Sequence, residues 1–474
     1  MGVRRVIKWM LIGVAAIVLL LGGLVFALFR TFYPSPPPAD FPPAADAATA
    51  QRQDFEYFAH YFELNRTYSS AARAQAQQML AQYEAQAGTF SPAQFELAIA
   101  SMTALADNGH SRVHPSGLPR RHNRLPCRLY RFADGYYFIR ARPACTEILG
   151  AKLLALDGHP TDDVVNHMYR YFGGPRNHYE QFAAPFFLES PELLNAAGLA
   201  SAADRVTLHV RTRDGAERDV AVVADAPNPD APGVSGVELL SPDRFESEPE
   251  GWQPLLPKDA ALPVFLREFS VPFRAEYWPA DATYFAQFRS NEDEDGYPIG
   301  KFVERIEREV REHQPRFVVL DLRFNQGGNF TSTASLMKRL PRLADSIQHV
   351  YVLTSAWTFS AGNVSLALVR DRGGKKVTVI GEPVGDRVRT WAEGGTMQLP
   401  NSKLRIGFAT GLHDYSRSCW GESGCFWVMY LYPMHVPRLD PDIRVAYAFD
   451  DYVNLRDPIL ERTLQLIRTQ TTQR

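Results

Sequence analysis

Several common classes of protein are closed to this chain by what it lacks. It has four cysteines in 474 residues, and Cys419-x5-Cys425 has no histidines at a fixed spacing, so no metal site is expected. It lacks an excess of either charge, with 51 Lys and Arg against 53 Asp and Glu, which leaves no basic field to hold a nucleic acid. It lacks any charge from Trp9 to Phe29, and those 21 residues are long enough to cross a bilayer as a helix. The run ends in Val25-Phe-Ala-Leu-Phe29 without a small-x-small cleavage site, so it reads as an uncleaved signal anchor.

Arg4, Arg5 and Lys8 precede that run and only Arg30 follows it. Positive charge stays on the cytoplasmic side, so the body is expected on the periplasmic face of an inner membrane, tethered by a single pass. In an oxidising compartment Cys127 with Cys145 and Cys419 with Cys425 suit local disulfides; the other reading is four buried thiols.

Six segments follow from composition and periodicity. Residues 1–30 are the anchor, and residues 31–50 are a proline-rich linker whose stiffness would lift the body off the membrane. Residues 51–120 have helical periodicity, with Phe55, Phe58 and Phe62, then Met79, Leu80 and Tyr83, then Ser91-Pro-Ala-Gln as a helix start. This helical cap ends in Asp107-Asn-Gly-His110, where a glycine closes the last helix and His110 stands at the mouth of a turn. Residues 121–235 read as a β-rich module, with strands at 136–139, 151–158, 206–210 and 219–223 and a helical insertion. Residues 236–262 form a linker rich in proline, with a charged run around Glu246 to Glu250. Residues 263–474 are the core, entered by strands at 264–269 and 283–288 and an amphipathic helix at 300–313. The acidic run 291–295 between them reads as a solvated turn.

The chemistry gathers between Arg316 and Asp386. The apolar run 316–323 suits a buried strand and breaks at Asn325-Gln-Gly-Gly328, where paired glycines turn the backbone with free N–H groups. A helix, a second strand at 350–354 and a turn through Thr358-Phe-Ser-Ala-Gly362 complete a βαβ crossover. That turn holds Ser360 between strand and helix, where a nucleophile could sit. The N–H groups of Ala361, Gly327 and Gly328 could form an oxyanion hole around it.

In this order, Val319-Leu-Asp-Leu-Arg-Phe-Asn-Gln-Gly-Gly328, Thr358-Phe-Ser-Ala-Gly362, Val379-Ile-Gly-Glu-Pro383 and Leu439-Asp-Pro-Asp-Ile443 resemble the tail-specific, or carboxyl-terminal-processing, serine proteases. The motifs span roughly Tyr284 to Ile467, and Asp107-Asn-Gly-His110 adds a likeness to the tricorn-core-like and interphotoreceptor-retinoid-binding-protein-like branch. The resemblance implies an α/β (α+β) fold with a ClpP- and crotonase-like protease core, behind the helical cap and a PDZ-like module carried by Gly150 to Pro160. It implies Ser360 as nucleophile, polypeptide substrates and no cofactor.

Serine needs a base. The tail-specific branch places a lysine just beyond the Gly-Glu-Pro turn, but this chain has Val384-Gly-Asp-Arg387 there, and arginine holds its proton far above neutrality. Lys375 and Lys376 precede the strand that leads to that turn. The tricorn-like branch uses an upstream histidine, which falls on His110, with Ser111 to orient it. For the acidic partner Glu393, Asp386, His413 and Asp414 stand open, and His435 occupies the place where a glutamate is expected. The expected function is a membrane-anchored extracytoplasmic serine protease. The alternative is a non-catalytic ligand-binding or scaffold protein on the same fold, using Trp391, Trp420, Phe426 and Trp427 to hold an apolar ligand.

Overall fold

The computed structural model of the chain describes residues 3–231, 233, 236–244, 248 and 250–472. Most of the charged run at 246–250 therefore lies outside the described residues. The chain opens with a helix over Val3–Phe32, and the span Ile7–Phe32 contains an 18-residue window of mean hydropathy 2.9 with no residue buried against the body. Among the described residues it is the one helix long and apolar enough to cross a membrane.

The proline-rich stretch after it is extended, as its composition requires, but it runs along the body and does not stand away from it. The Pro37 carbonyl accepts from Tyr57 at 2.6 Å and the Pro42 carbonyl from Gln53 at 3.0 Å, while Phe41 meets the Tyr57 ring edge-on. The cap then forms from helices Ala47–Phe58, Ser70–Glu84 and Pro92–Ala104. Each begins on a side-chain acceptor, Asp46, Ser69 or Ser91, and Ser91 with Gln94 closes a reciprocal capping box. Phe55, Phe58, Phe62, Phe95 and Ile99 face one another and continue onto Met397, Ile406 and Phe408 of a hairpin that belongs to the core. The cap is thus joined to the core by shared apolar surface, in spite of the sequence distance.

The module is an antiparallel sheet with the path Cys127–Phe132, Gly135–Ala141, Lys152–Leu156, Arg205–Arg211, Glu217–Val223. Cys127 and Cys145 are both free thiols, contrary to the expected pairing. They share a hydrogen bond, and burial at the head of the first strand pushes the Cys127 thiol well up. A thiol kept protonated in this way is a poor partner for exchange. Cys419 and Cys425 do form a disulfide, with their Cα atoms 5.4 Å apart.

The core is one six-stranded sheet. Ile443–Arg444, Val377–Gly381, His349–Thr354, Phe317–Asp321 and Thr283–Phe288 run parallel in that order, and Phe273–Trp278 pairs antiparallel on the outer edge. Helices Ile299–His313, Thr331–Arg339 and Ala361–Gly373 make the crossovers. Side chains alternate as the strand period demands: Val318, Leu320, Val350 and Val352 meet those helices, while Phe317, Val319, Tyr351 and Leu353 meet Ile459, Leu460 and Ile467 of the last helix, Pro458–Thr472. The expected ClpP- and crotonase-like core is corrected by this arrangement, a single open sheet with helices on both faces and an antiparallel edge.

The strand expected at 264–269 does not form either; Val264–Leu266 is a short 3-10 turn. Its carbonyls are drawn inward, since Arg289 donates to the oxygens of Phe265, Arg267, Glu268, Phe269 and Val271. A guanidinium that collects five carbonyls leaves none for a ladder.

Candidate active site

Strands Phe317–Asp321 and His349–Thr354 lie side by side, and their carboxyl ends open into the two turns singled out in the sequence. In open parallel sheets this edge is where ligands are taken. Ser360 sits at the start of helix Ala361–Gly373 with φ 51° and ψ −120°, a conformation a side chain avoids unless its surroundings impose it. From Val350 to Val369 every residue is buried except Ser360. The turn therefore bends the backbone against its preference and presents one hydroxyl.

Gly327 is the reason the neighbouring turn can lie against it. A Cβ at that position would come within 2.7 Å of the Ser360 Cβ and 3.1 Å of its Oγ, and the residue has φ +121°. The Gly327 N–H already donates to Asn325 Oδ1 at 3.1 Å, so it is not a free donor. The N–H groups of Ala361 and Gly328 have no acceptor among the described residues. Of the three oxyanion donors expected, these two stay available.

His110 arrives from the cap. The preceding turn is made by Asp107, at φ 46°, and not by the glycine; Gly109 is demanded by space, because a Cβ there would meet the Phe359 ring at 2.9 Å. The His110 ring stacks on Phe359, the residue before Ser360, with centroids 4.5 Å apart, and His178 stacks on the other face of the same ring at 4.2 Å. Cap, core turn and module insertion thus meet in one three-ring stack. His178 is fixed in turn by the Ala356 carbonyl at 3.1 Å and Arg112 at 3.3 Å. Sequence reasoning passed over His178, Phe359 and Arg112, and no local pattern marks them.

Neither nitrogen of the His110 ring completes a well-formed hydrogen bond, although the Trp391 carbonyl lies near enough to favour its protonation, and Asp386 Oδ2 stands 3.9 Å from Nδ1. Burial, with Arg112 and His413 nearby, drives the imidazole down to about 3, so it is neutral across the physiological range. Asp386 is buried and pushed up to about 6, although it accepts from Thr390 and from the Arg387 N–H. Arg387, in the place where a lysine was sought, binds Asp107 at 2.9 Å and ties the cap turn down beside Asp386. Ser111 turns away from His110 and bonds Asn65 at 3.2 Å and Asn108 at 3.4 Å.

The remaining candidates separate cleanly. Glu393 bonds Tyr33 and His413 and lies close enough for its charge to act on His110. Asp414 is paired with Arg389 at 3.0 Å, and the exposed His435 gives its N–H to Asp371. Lys375 and Lys376 precede strand Val377–Gly381 at its amino end, across the sheet from Ser360. Trp391, Trp420, Phe426 and Trp427 differ in placement: Phe426 is core, Trp391 and Trp427 pack half-buried against that core, and Trp420 is exposed.

These elements define the fold as an α/β core assembled with a helical cap and a β-rich module. The chain is similar to mature CPAF complexed with lactacystin at 13% identity and a TM-score of 0.56, over 90% of this chain and 99% of that one. It is similar to mature CPAF alone at 13% identity and a TM-score of 0.55, over 89% and 98%. It also aligns with the tricorn protease at 14% identity and a TM-score of 0.41, over 89% of this chain and 37% of that one. No protein-family model and no curated protein matches the sequence. The chain has the fold of CPAF along most of its length, and this match overturns the ClpP- and crotonase-like core.

Proposed function

We propose that the chain is a serine protease of the tail-specific kind, anchored in the membrane by its first helix, with its body on the extracytoplasmic side. The observation that carries the reading is the forced backbone of Ser360, which holds the one accessible hydroxyl of a buried stretch at the carboxyl edge of a parallel sheet. The CPAF fold supports it.

In this reading Ser360 Oγ attacks the carbonyl carbon of a polypeptide and its proton passes to His110, which is already neutral and able to accept it. The N–H groups of Ala361 and Gly328 take the oxyanion. His110 then gives the proton to the departing amine, and water cleaves the acyl-enzyme by the reverse sequence. Asp386 is the group that faces the imidazolium as it forms. Ser111 supports the turn through Asn65 and Asn108 and does not orient the ring. At rest neither ring nitrogen of His110 bonds the Ser360 hydroxyl, which unliganded sites commonly allow.

A fluorophosphonate probe tests the reading. Labelling at Ser360 is expected, with loss of labelling in Ser360→Ala. A folded protein that takes no label belongs to the other class, a binding or scaffold protein on the same fold.

A further inference from the structure

The anchor helix does not end in a free tether. Phe32 is buried against Phe426 with ring centroids 5.2 Å apart and edge-on geometry, its carbonyl accepts from the Thr410 hydroxyl, and Tyr33 bonds Glu393. The last turn of the membrane helix is thus fastened to the same wall that carries Glu393 and His413. That fixes which surface of the body meets the bilayer.

The surface so placed is apolar. Five large hydrophobic side chains outside the anchor helix are exposed among the described residues, and three of them, Trp420, Tyr430 and Leu431, lie in the single loop on either side of Phe426. Trp420 is 64% and Leu431 61% exposed, and Trp420 stacks on Tyr430 at 4.6 Å. The Cys419–Cys425 disulfide pins the segment that bears Trp420, and Leu412 exchanges backbone bonds with Gly424 and Phe426, so the loop cannot fold these side chains inward. Lys338 stands over the ring of Tyr432 at 5.4 Å, which supplies a cation for headgroups; Arg417, in the same segment, is paired with Glu422 at 3.2 Å. Rigid exposed tryptophan, tyrosine and leucine continuous with the exit of a membrane helix match the amphipathic belt that settles at a bilayer interface.

We infer that the loop carrying Trp420, Tyr430 and Leu431 is a membrane-docking surface, which seats in the headgroup and upper acyl region of the bilayer that holds the anchor. The proposal rests on the anchored reading above. It turns the Glu393 wall of the candidate site toward the membrane, so polypeptide segments would be taken at the bilayer surface and not from bulk solution.

The test uses the full chain in vesicles of phosphatidylcholine and phosphatidylglycerol, with the environment-sensitive dye NBD placed on Leu431→Cys, Val223→Cys or Val18→Cys. Cys127 and Cys145 are buried and Cys419 and Cys425 are bonded, so the new thiol is the one that reacts. The probe at 431 should be blue-shifted by the bilayer and quenched by lipids carrying a nitroxide near the headgroup. They should leave unchanged the probe at 223, which is exposed on the far edge of the β-rich module. Deep nitroxides should quench the probe at 18. A quenched probe at 18 with 431 behaving like 223 overturns the docking surface and leaves the anchor standing; an unquenched probe at 18 overturns the anchor itself.

Discussion

Two histidines twelve residues apart, His122 fully buried and His110 half-buried with both ring nitrogens covered, face carboxylates in opposite ways. His122 lies 2.7 Å from Glu96 and 3.5 Å from Glu192, with Arg121 binding Glu96 through two nitrogens. Burial alone would lower it, but the hydrogen bond it donates to Glu96 and the Glu192 carboxylate on its other side prevail and raise the imidazole to about 9, while Arg121 and His122 overcome burial to hold Glu96 down at about 2. His110 has no such closure: its nearest carboxylate is 3.9 Å away, its nitrogens are unmatched, and burial sends it to about 3 and Asp386 to about 6. The first cluster is built for the resting fold, since every charge in it has an opposite. The second is costly at rest, and buried polar groups left open in this way are the mark of a site that waits for a partner.

Removing the chemistry on the open side should have the largest effect. Ser360→Ala should lower hydrolysis of an unfolded polypeptide such as carboxymethylated casein by about 10⁴-fold or more, with thermal stability nearly unchanged, since alanine keeps the Cβ that makes φ 51° unfavourable. His110→Ala should cost about 10² to 10⁴ in kcat without unfolding the protein, and His122→Ala should leave kcat near wild type in whatever fraction stays folded. Equal losses of kcat for the two would erase the contrast. On the closed side, Glu96→Gln should destabilise by about 3 kcal/mol, because it takes the opposing charge from the half-buried Arg121 and leaves buried His122 with Glu192 alone. Glu96 is depressed and His122 raised, so their contribution is complete between about pH 4.5 and 6.5. It fades as pH falls through about 2 or rises through about 9. Denaturant midpoints of wild type and variant should therefore lie furthest apart near pH 5.5 and converge towards pH 10.

How far the sequence could foresee this depends on the span of each interaction. The Ser360 turn is local: β-branched strands, paired glycines and the Thr358-Phe-Ser-Ala-Gly362 run lie within about fifty residues, and the structure realises them with boundaries close to those expected. The capping box at Ser91 is equally local. Asp386 could be named but not placed, because what brings it to His110 is the Arg387–Asp107 pair between segments remote in the chain. The stack of His110, Phe359 and His178 joins three segments and leaves no periodic trace. The misread strand at 264–269 failed for a related reason, since Arg289 captures its carbonyls from outside the window. The ClpP- and crotonase-like core came with the family resemblance; the residues' own βαβ pattern fixes neighbouring strands but not how the outer strands and the later segments close around them.

The smallest effect is also the most diagnostic, since stability and activity should move apart. The Asp386 carboxyl is held at about 6 in the folded chain, above its ordinary value, so the folded state binds its proton more tightly than the unfolded state does. Stability is therefore lost as pH rises through that interval, and the penalty is full above about pH 6, at most about 3 kcal/mol. Asp386→Asn removes the charge and keeps an acceptor for the Thr390 hydroxyl and the Arg387 N–H. Its melting temperature should exceed wild type at pH 8, and the margin should shrink at pH 4.5, where the wild-type carboxyl is already protonated. Hydrolysis should fall by about a hundredfold or less, because the imidazolium formed during attack loses the charge that faces it. The wild-type rate should also decline below about pH 6 as Asp386 gains its proton, and this limb should be absent from the variant. A variant that is no more stable than wild type at pH 8 would mean that Asp386 is satisfied at rest like Glu96, and that the two histidine clusters are of one kind.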